Sequence, residues 1–191
     1  MYSTKYDIDL EIDKALYENN DTDQHGITLL AICCSIRAKS VLEIGVRYGG
    51  TTRPLLKAMQ ITGGKLTSVD IKDHGYRPEP ELQKYWDFKV QDALSFLEQN
   101  QNQKYDLIFI DDLHTTEHLY KELLIVDKMV NKETVIVLHD LMHSGRHPEY
   151  NVDIMPPGNE FEGTGPHGGL MKFLEAFKLA KTLMASRITF C

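Results

Sequence analysis

Apolar residues in this chain fall in short unbroken runs, and between the runs the spacing becomes that of an amphipathic helix. Residues 26–37, "GITLLAICCSIR", are helix-like in length and mostly apolar. "SVLEIG" (40–45) then predicts a buried strand, and "TTRPLLKAMQ" (51–60) a helix that tolerates Pro54 in its first turn. Gly63 and Gly64 end that helix, and "KLTSVDI" (65–71) is a second strand. Residues 72–84 contain Gly75, Pro78 and Pro80 and are expected to be loop. "WDFKV" (86–90) is a short third strand, followed by a helix over "DALSFLEQN" (92–100) with Asp92 as its N-cap. "YDLIFID" (105–111) is a strongly apolar fourth strand, "TTEHLYKELLIVDKMV" (115–130) a helix, and "ETVIVLHD" (133–140) a fifth strand. A long loop over 141–167 precedes a last helix, "GGLMKFLEAFKLAK" (168–181).

Strands that are apolar throughout, rather than at alternate positions, are buried on both faces. Their alternation with helices predicts a mostly parallel sheet with helices on both sides. Right-handed crossovers make this a doubly wound, Rossmann-like α/β fold. With 191 residues the chain has room for one such domain, expected over 24–191 after an acidic arm over 1–23. Ligands in this architecture sit beyond the carboxyl ends of the strands. All five predicted strand ends carry an acid: Glu43, Asp70, Asp92, the pair Asp111–Asp112, and Asp140 just after His139. Unpartnered acids repel one another and raise each other's pKa. A cationic or hydroxyl-rich ligand, or a metal ion, would remove that cost.

Charge narrows the partners. The formal net charge is −7, and no cluster of Lys and Arg makes a basic face, which disfavours nucleic acid and anionic membrane. No apolar run is long enough to span a bilayer, and the N-terminal residues lack the apolar core of a signal peptide. Cys33, Cys34 and Cys191 do not form a disulfide framework, so a reducing cytoplasm is the expected location.

The turn after the first strand contains Gly45, Gly49 and Gly50, which permit a tight strand-to-helix connection and close backbone approach to a ligand. Its spacing is not G-x-G-x-x-G, so the dinucleotide fingerprint is absent. Asp70 is placed to hold ribose hydroxyls of either a nicotinamide or an adenosine cofactor.

Taken in order, "VLEIGVRYGGTT" (41–52), "LTSVDI" (66–71), "VQDALSFL" (90–97), "YDLIFIDDLHTTEHLYKELLIVDKMV" (105–130) and "VIVLHDL" (135–141) resemble class I S-adenosylmethionine-dependent methyltransferases. The nearest branch is that of the small metal-dependent O-methyltransferases and their cephalosporin hydroxylase-like relatives. The resemblance covers residues 24–180. It implies that Glu43 faces the methionine end of the cofactor, that Gly45 and Gly49 pass beneath it, and that Asp70 takes the ribose. Asp92 would meet the adenine, and Asp111 would border the same cofactor site. The sequence departs from the pattern at Arg47, which replaces a glycine, and at Leu113 in "IDDLH" (110–114), where relatives carry a candidate base. "TLMASRITFC" (182–191) can supply one of the two closing strands, so the C-terminal edge of the sheet is expected to be incomplete or unusual.

Each assignment has a plainer alternative. Glu43 could be a strand-end acid paired with a Lys, and Asp92 could be only a helix cap. The spacing of His114 and His118 suits a metal, but such a pair is more often solvated surface, and that is the reading taken for His118. Asp111, His139 and Asp140 suit Mg2+ or Mn2+ in a mixed O/N site, or an acidic pocket without metal. His139 precedes Asp140 in an extended segment and should point to the other face unless the strand ends there. His114, then His143, are the candidate proton acceptors, and 141–167 the expected substrate lid.

The resulting expectation is methyl transfer from S-adenosylmethionine to a hydroxyl oxygen of a sugar, phenol or natural product, assisted by a divalent metal. The partner is a small molecule, with no nucleic acid or membrane, and homo-oligomerisation is left open. The rival readings are a metal-dependent hydrolase or oxygenase on the same scaffold, and a non-catalytic cofactor-binding protein.

Overall fold

A computed structural model of the protein describes residues 25–141, 165–178 and 188–190. The acidic arm, His143 and nearly all of the expected lid lie outside the described residues. The elements are α1 (Gly26–Ser35), β1 (Ser40–Ile44), α2 (Thr52–Thr62), β2 (Lys65–Asp70), α3 (Pro80–Gln83), β3 (Trp86–Val90), α4 (Ala93–Asn100), β4 (Leu107–Ile110), α5 (Thr116–Met129), β5 (Val135–Leu138), α6 (Gly165–Lys178) and β6 (Ile188–Phe190).

Six strands form one sheet in the order β3-β2-β1-β4-β5-β6, and each neighbouring pair is parallel. The doubly wound fold is therefore present, with β1 and β4 side by side where the winding reverses. β6 is the single strand that the C-terminal segment was expected to supply, and it pairs parallel to β5. The one-turn helix α3, inside the segment expected to be loop, begins at Pro80, whose fixed φ suits a first helical position. None of the described helices is long and apolar enough to cross a membrane.

Strand alternation divides the core into two layers. Leu42 and Ile44 of β1 and Ile108 and Ile110 of β4 pack against α4, α5 and α6 through Phe96, Leu123 and Phe173. Val41 of β1 and Leu107 and Phe109 of β4 pack on the other face against α1 and α2 through Leu29, Leu55 and Met59. Glu43 shares the parity of Val41, so it faces the α1–α2 layer. It lies in register with Ser68 of β2.

Candidate active site

The loop from β1 to α2 is held by Glu43. Its carboxylate is fully buried and accepts hydrogen bonds from the hydroxyls of Thr51 (2.7 Å), Thr52 (2.9 Å) and Ser68 (2.6 Å). Burial pushes its pKa up to about 7, against the pull of those three hydroxyls. The Lys pairing does not describe its environment. Its partners are hydroxyls, and it lies beneath the loop instead of among the residues lining the cavity above. The two threonines directly after "GG" were the sequence signal for this arrangement, and sequence reasoning passed over them.

Two glycines in the same loop are sterically required. Gly45 has φ +92°, and a Cβ there would lie 1.9 Å from the carbonyl oxygen of Asp111. Gly49 has φ +83°, and a Cβ there would lie 2.2 Å from the Tyr76 ring. Arg47, at the departure from the glycine pattern, also has positive φ (46°). Its backbone N–H and that of Val46 donate to Asp70 Oδ2 at 2.8 and 2.9 Å. Asp70 thus binds the loop from the end of β2, while Lys72 N–H reaches its Oδ1 at 3.0 Å.

Above this loop a cavity of about 480 Å³ opens along the carboxyl edge of the sheet. Gly45, Asp70, Asp92, Asp111 and Asp112 line it, together with the exposed apolar side chains of Tyr48, Ile71 and Leu113. Acids beside apolar walls are the composition expected of a site for an amphiphilic small molecule. Asp92 serves as the N-cap of α4, accepting the Ser95 N–H at 2.8 Å, which pulls its pKa down. Capping leaves it on the cavity wall, so the two proposed roles are compatible in geometry.

On the β4–β5 side the acids have imidazole partners. His114 Nε2 lies 3.3 Å from Asp111 Oδ1 and 3.1 Å from Asp140 Oδ2. His139 Nδ1 lies 3.3 Å from Asp111 Oδ1 and 3.2 Å from Asp140 Oδ1. His139 reaches this position because β5 ends at Leu138 and Asp140 has φ +52°, so strand alternation stops before Asp140. The rings of His25, just before α1, and Phe109 pack edge-on against His139, and no motif or spacing announces His25 there.

Burial by itself would lower both histidine pKa values. Contact with the two carboxylates outweighs it, raising His114 to about 9 and His139 to about 10. The same contacts overcome burial at Asp111 and Asp140 and hold both carboxyls below the usual range. Two imidazolium ions therefore balance two carboxylates when no other cation is present. His114 then carries a proton at neutral pH and cannot accept another.

The group is also suited to a divalent ion. Ligand atoms of Asp111, His139 and Asp140 lie within 4.8 Å of one another. His139 Nδ1 is buried and makes no well-directed hydrogen bond. A recess of about 10 Å³, lined by Asp111, His114, His139 and Pro166, lies beside them and is the size of one small sphere. Asp111 borders both the recess and the cavity.

His118 is a correction. It is only 13% exposed, not at a solvated surface, and its Nε2 pairs with Asp112 Oδ2 at 2.9 Å. Asp112 in the strand-end loop reaches back to His118 in the first turn of α5, a contact that helical spacing alone does not reveal.

A family model described as a methyltransferase domain matches residues 42–141, from β1 to the residues just past β5. This chain belongs to the methyltransferase-domain family. No curated protein matches it. Among solved structures, the methyltransferase domain is similar to the O-methyltransferase of Bacillus cereus in complex with SAH (TM-score 0.62, 18% identity, 90% of this chain and 76% of that one). It is equally similar to a provisionally named O-methyltransferase of Klebsiella pneumoniae (0.62, 18%, 95% and 81%). A third likeness is to the O-methyltransferase TomG of Streptomyces achromogenes, in complex with SAM (0.57, 14%, 91% and 85%). At these identities the similarity establishes the shared fold.

Proposed function

We propose that this methyltransferase domain transfers a methyl group from S-adenosylmethionine to a hydroxyl oxygen of a small molecule, with a divalent ion, Mg2+ or Mn2+, held by Asp111, His139 and Asp140. The observation that carries the reading is the cavity at the β1–β4 switch point, with Gly45 beneath it, Asp70 and Asp92 on one wall and Asp111 on the other. The cofactor would supply an electrophilic methyl group on a sulfonium.

The chain's own contribution is placement. Asp70 has acceptor capacity beyond its loop contacts and stands where a ribose would present its hydroxyls. Glu43 fixes the loop through Thr51 and Thr52, and so fixes how closely Gly45 lets a ligand approach. A divalent ion at the recess would neutralise Asp111 and Asp140 and polarise an acceptor hydroxyl. His114 Nε2, beside both carboxylates, is the candidate acceptor for the hydroxyl proton, a role it could take only where another cation would replace it as their counter-ion. His143 remains a candidate for the same role and lies outside the described residues.

Calorimetric titration with S-adenosylmethionine and, separately, NAD, each with and without Mg2+, tests the reading. Binding of S-adenosylmethionine and none of NAD is expected. NAD binding, or no heat from S-adenosylmethionine under either condition, would overturn it.

A further inference from the structure

On the other side of the β4 end is a second group of ligating side chains that the methyl-transfer reading does not use. Thr115 caps α5 by accepting the His118 N–H, which fixes the first turn of the helix. His118 and Glu122 are one helical step apart on the same face of α5, and both point toward Asp112 in the preceding loop. His118 Nε2 is 2.9 Å from Asp112 Oδ2 and 3.5 Å from Glu122 Oε1, and the three ligand atoms lie within 4.8 Å of one another.

Glu122 is the unexplained member. Its side chain is 0% exposed, and neither carboxyl oxygen has a hydrogen-bond partner. Among the described residues, the only oppositely charged group at ion-pair distance is His118. A proton on Nε2 lies along one direction in the ring plane, and the shorter contact commits it to Asp112. That leaves a buried carboxyl without a donor, a costly state for a group that could have been apolar. One divalent ion in place of that proton would reach Nε2, Oδ2 and Oε1 together and neutralise both acids.

We propose that Asp112, His118 and Glu122 form a second divalent-cation site, distinct from that of Asp111, His139 and Asp140, with open coordination positions facing the main cavity. Asp112 and His118 line that cavity, while Glu122 closes the site from behind. One imidazole nitrogen with two carboxylate oxygens is the same donor set as the first site and suits a divalent ion such as Mn2+. Three protein ligands leave positions for water or for an oxygen donor in the cavity. The site does not depend on methyl transfer and extends beyond that reading.

The test counts Mn2+ bound to the full chain after chelation, from the loss of the free-ion electron paramagnetic resonance signal. Two ions per wild-type chain are expected. Glu122→Gln and Asp112→Asn should each lose one, with affinity for that ion down at least tenfold, while circular dichroism reports an unchanged fold. Asp140→Asn should lose the other ion and keep this one. With Co2+ as the probe, the visible d–d absorption of the bound ion should survive in Asp140→Asn and vanish in Asp140→Asn combined with His118→Ala. Wild-type stoichiometry in both Glu122→Gln and Asp112→Asn would overturn the proposal, and so would a single wild-type ion lost only in Asp140→Asn. If Asp140→Asn alone leaves the count unchanged, the first site fails and this one stands.

Discussion

The two halves of the strand edge treat their acids differently. On the β1–β2 side, Glu43 is met by hydroxyls and Asp70 by backbone N–H groups, all neutral donors that hold the carboxyl groups in place. On the β4–β5 side, Asp111, Asp112 and Asp140 are met by imidazoles, which can carry a full positive charge. Neutral donors make a rigid cradle that brings no positive charge of its own and suits a cationic or hydroxyl-rich ligand. Ionisable donors make a site whose charge changes with pH and which a metal ion can take over. The difference separates a half that holds from a half that responds.

The largest effect is expected from breaking the cradle. In Gly45→Ala the new methyl group would overlap the Asp111 carbonyl in a left-handed backbone. Overpacking and the unfavourable φ together should cost about 2–5 kcal/mol, read as a lower denaturation midpoint with an unchanged slope. A loss below about 1 kcal/mol would mean that the loop relaxes at will.

The responsive half should show itself in pH. His114 and His139 have folded-state pKa values raised to about 9 and about 10, above the ordinary histidine value of 6.5. Their contribution to stability is complete below about 6.5 and is lost as pH rises through 9 to 10. The chelated protein should therefore melt at progressively lower temperature between pH 7 and pH 10. Mn2+ should flatten that slope, and Asp140→Asn should reduce it. A chelated protein whose melting temperature is constant across that window would contradict the charge balance inferred here. Glu43 titrates outside the window. Its raised pKa makes stability fall between about 4.5 and about 7, so the two halves separate along the pH axis.

Asp70→Ala sharpens the comparison from the other side. It should weaken S-adenosylmethionine binding by roughly 1–3 kcal/mol in calorimetry and leave Mn2+ stoichiometry untouched. Altered metal binding with intact cofactor affinity would reverse the division of labour. The smallest effect belongs to Asp92→Ala, which removes the cap of α4 and should cost about 1 kcal/mol of stability, with Asp92→Ser restoring most of it.

Much of the fold was legible because it rests on one-dimensional periods. Uninterrupted runs such as "LIFI" and "VIVL" announced strands covered on both faces, and α5 kept its period for 14 residues. The site was legible only as positions. Sequence placed Asp111 and Asp140 at neighbouring strand ends. Whether His139 could join them depended on one backbone angle, the +52° at Asp140, which no run of apolar residues records. Glu43 was singled out, but its hydroxyl partners were not legible, because its face of the sheet is set by its parity with Val41 and its register with Ser68. His118 was assigned to the surface because helical spacing gives its neighbours on α5 but not the loop carrying Asp112.

Trp86 is the only tryptophan in the chain. Its indole N–H donates to Ser68 Oγ at 2.9 Å, and that hydroxyl in turn donates to Glu43. The ring stacks on Phe88 and meets Tyr76, which sits against Gly49. Intrinsic fluorescence excited at the red edge of protein absorption therefore originates at one address, two hydrogen bonds from the carboxylate that fixes the glycine loop. The emission maximum and lifetime become an unlabelled optical gauge of that loop, readable in real time in a stopped-flow cell as any ligand enters.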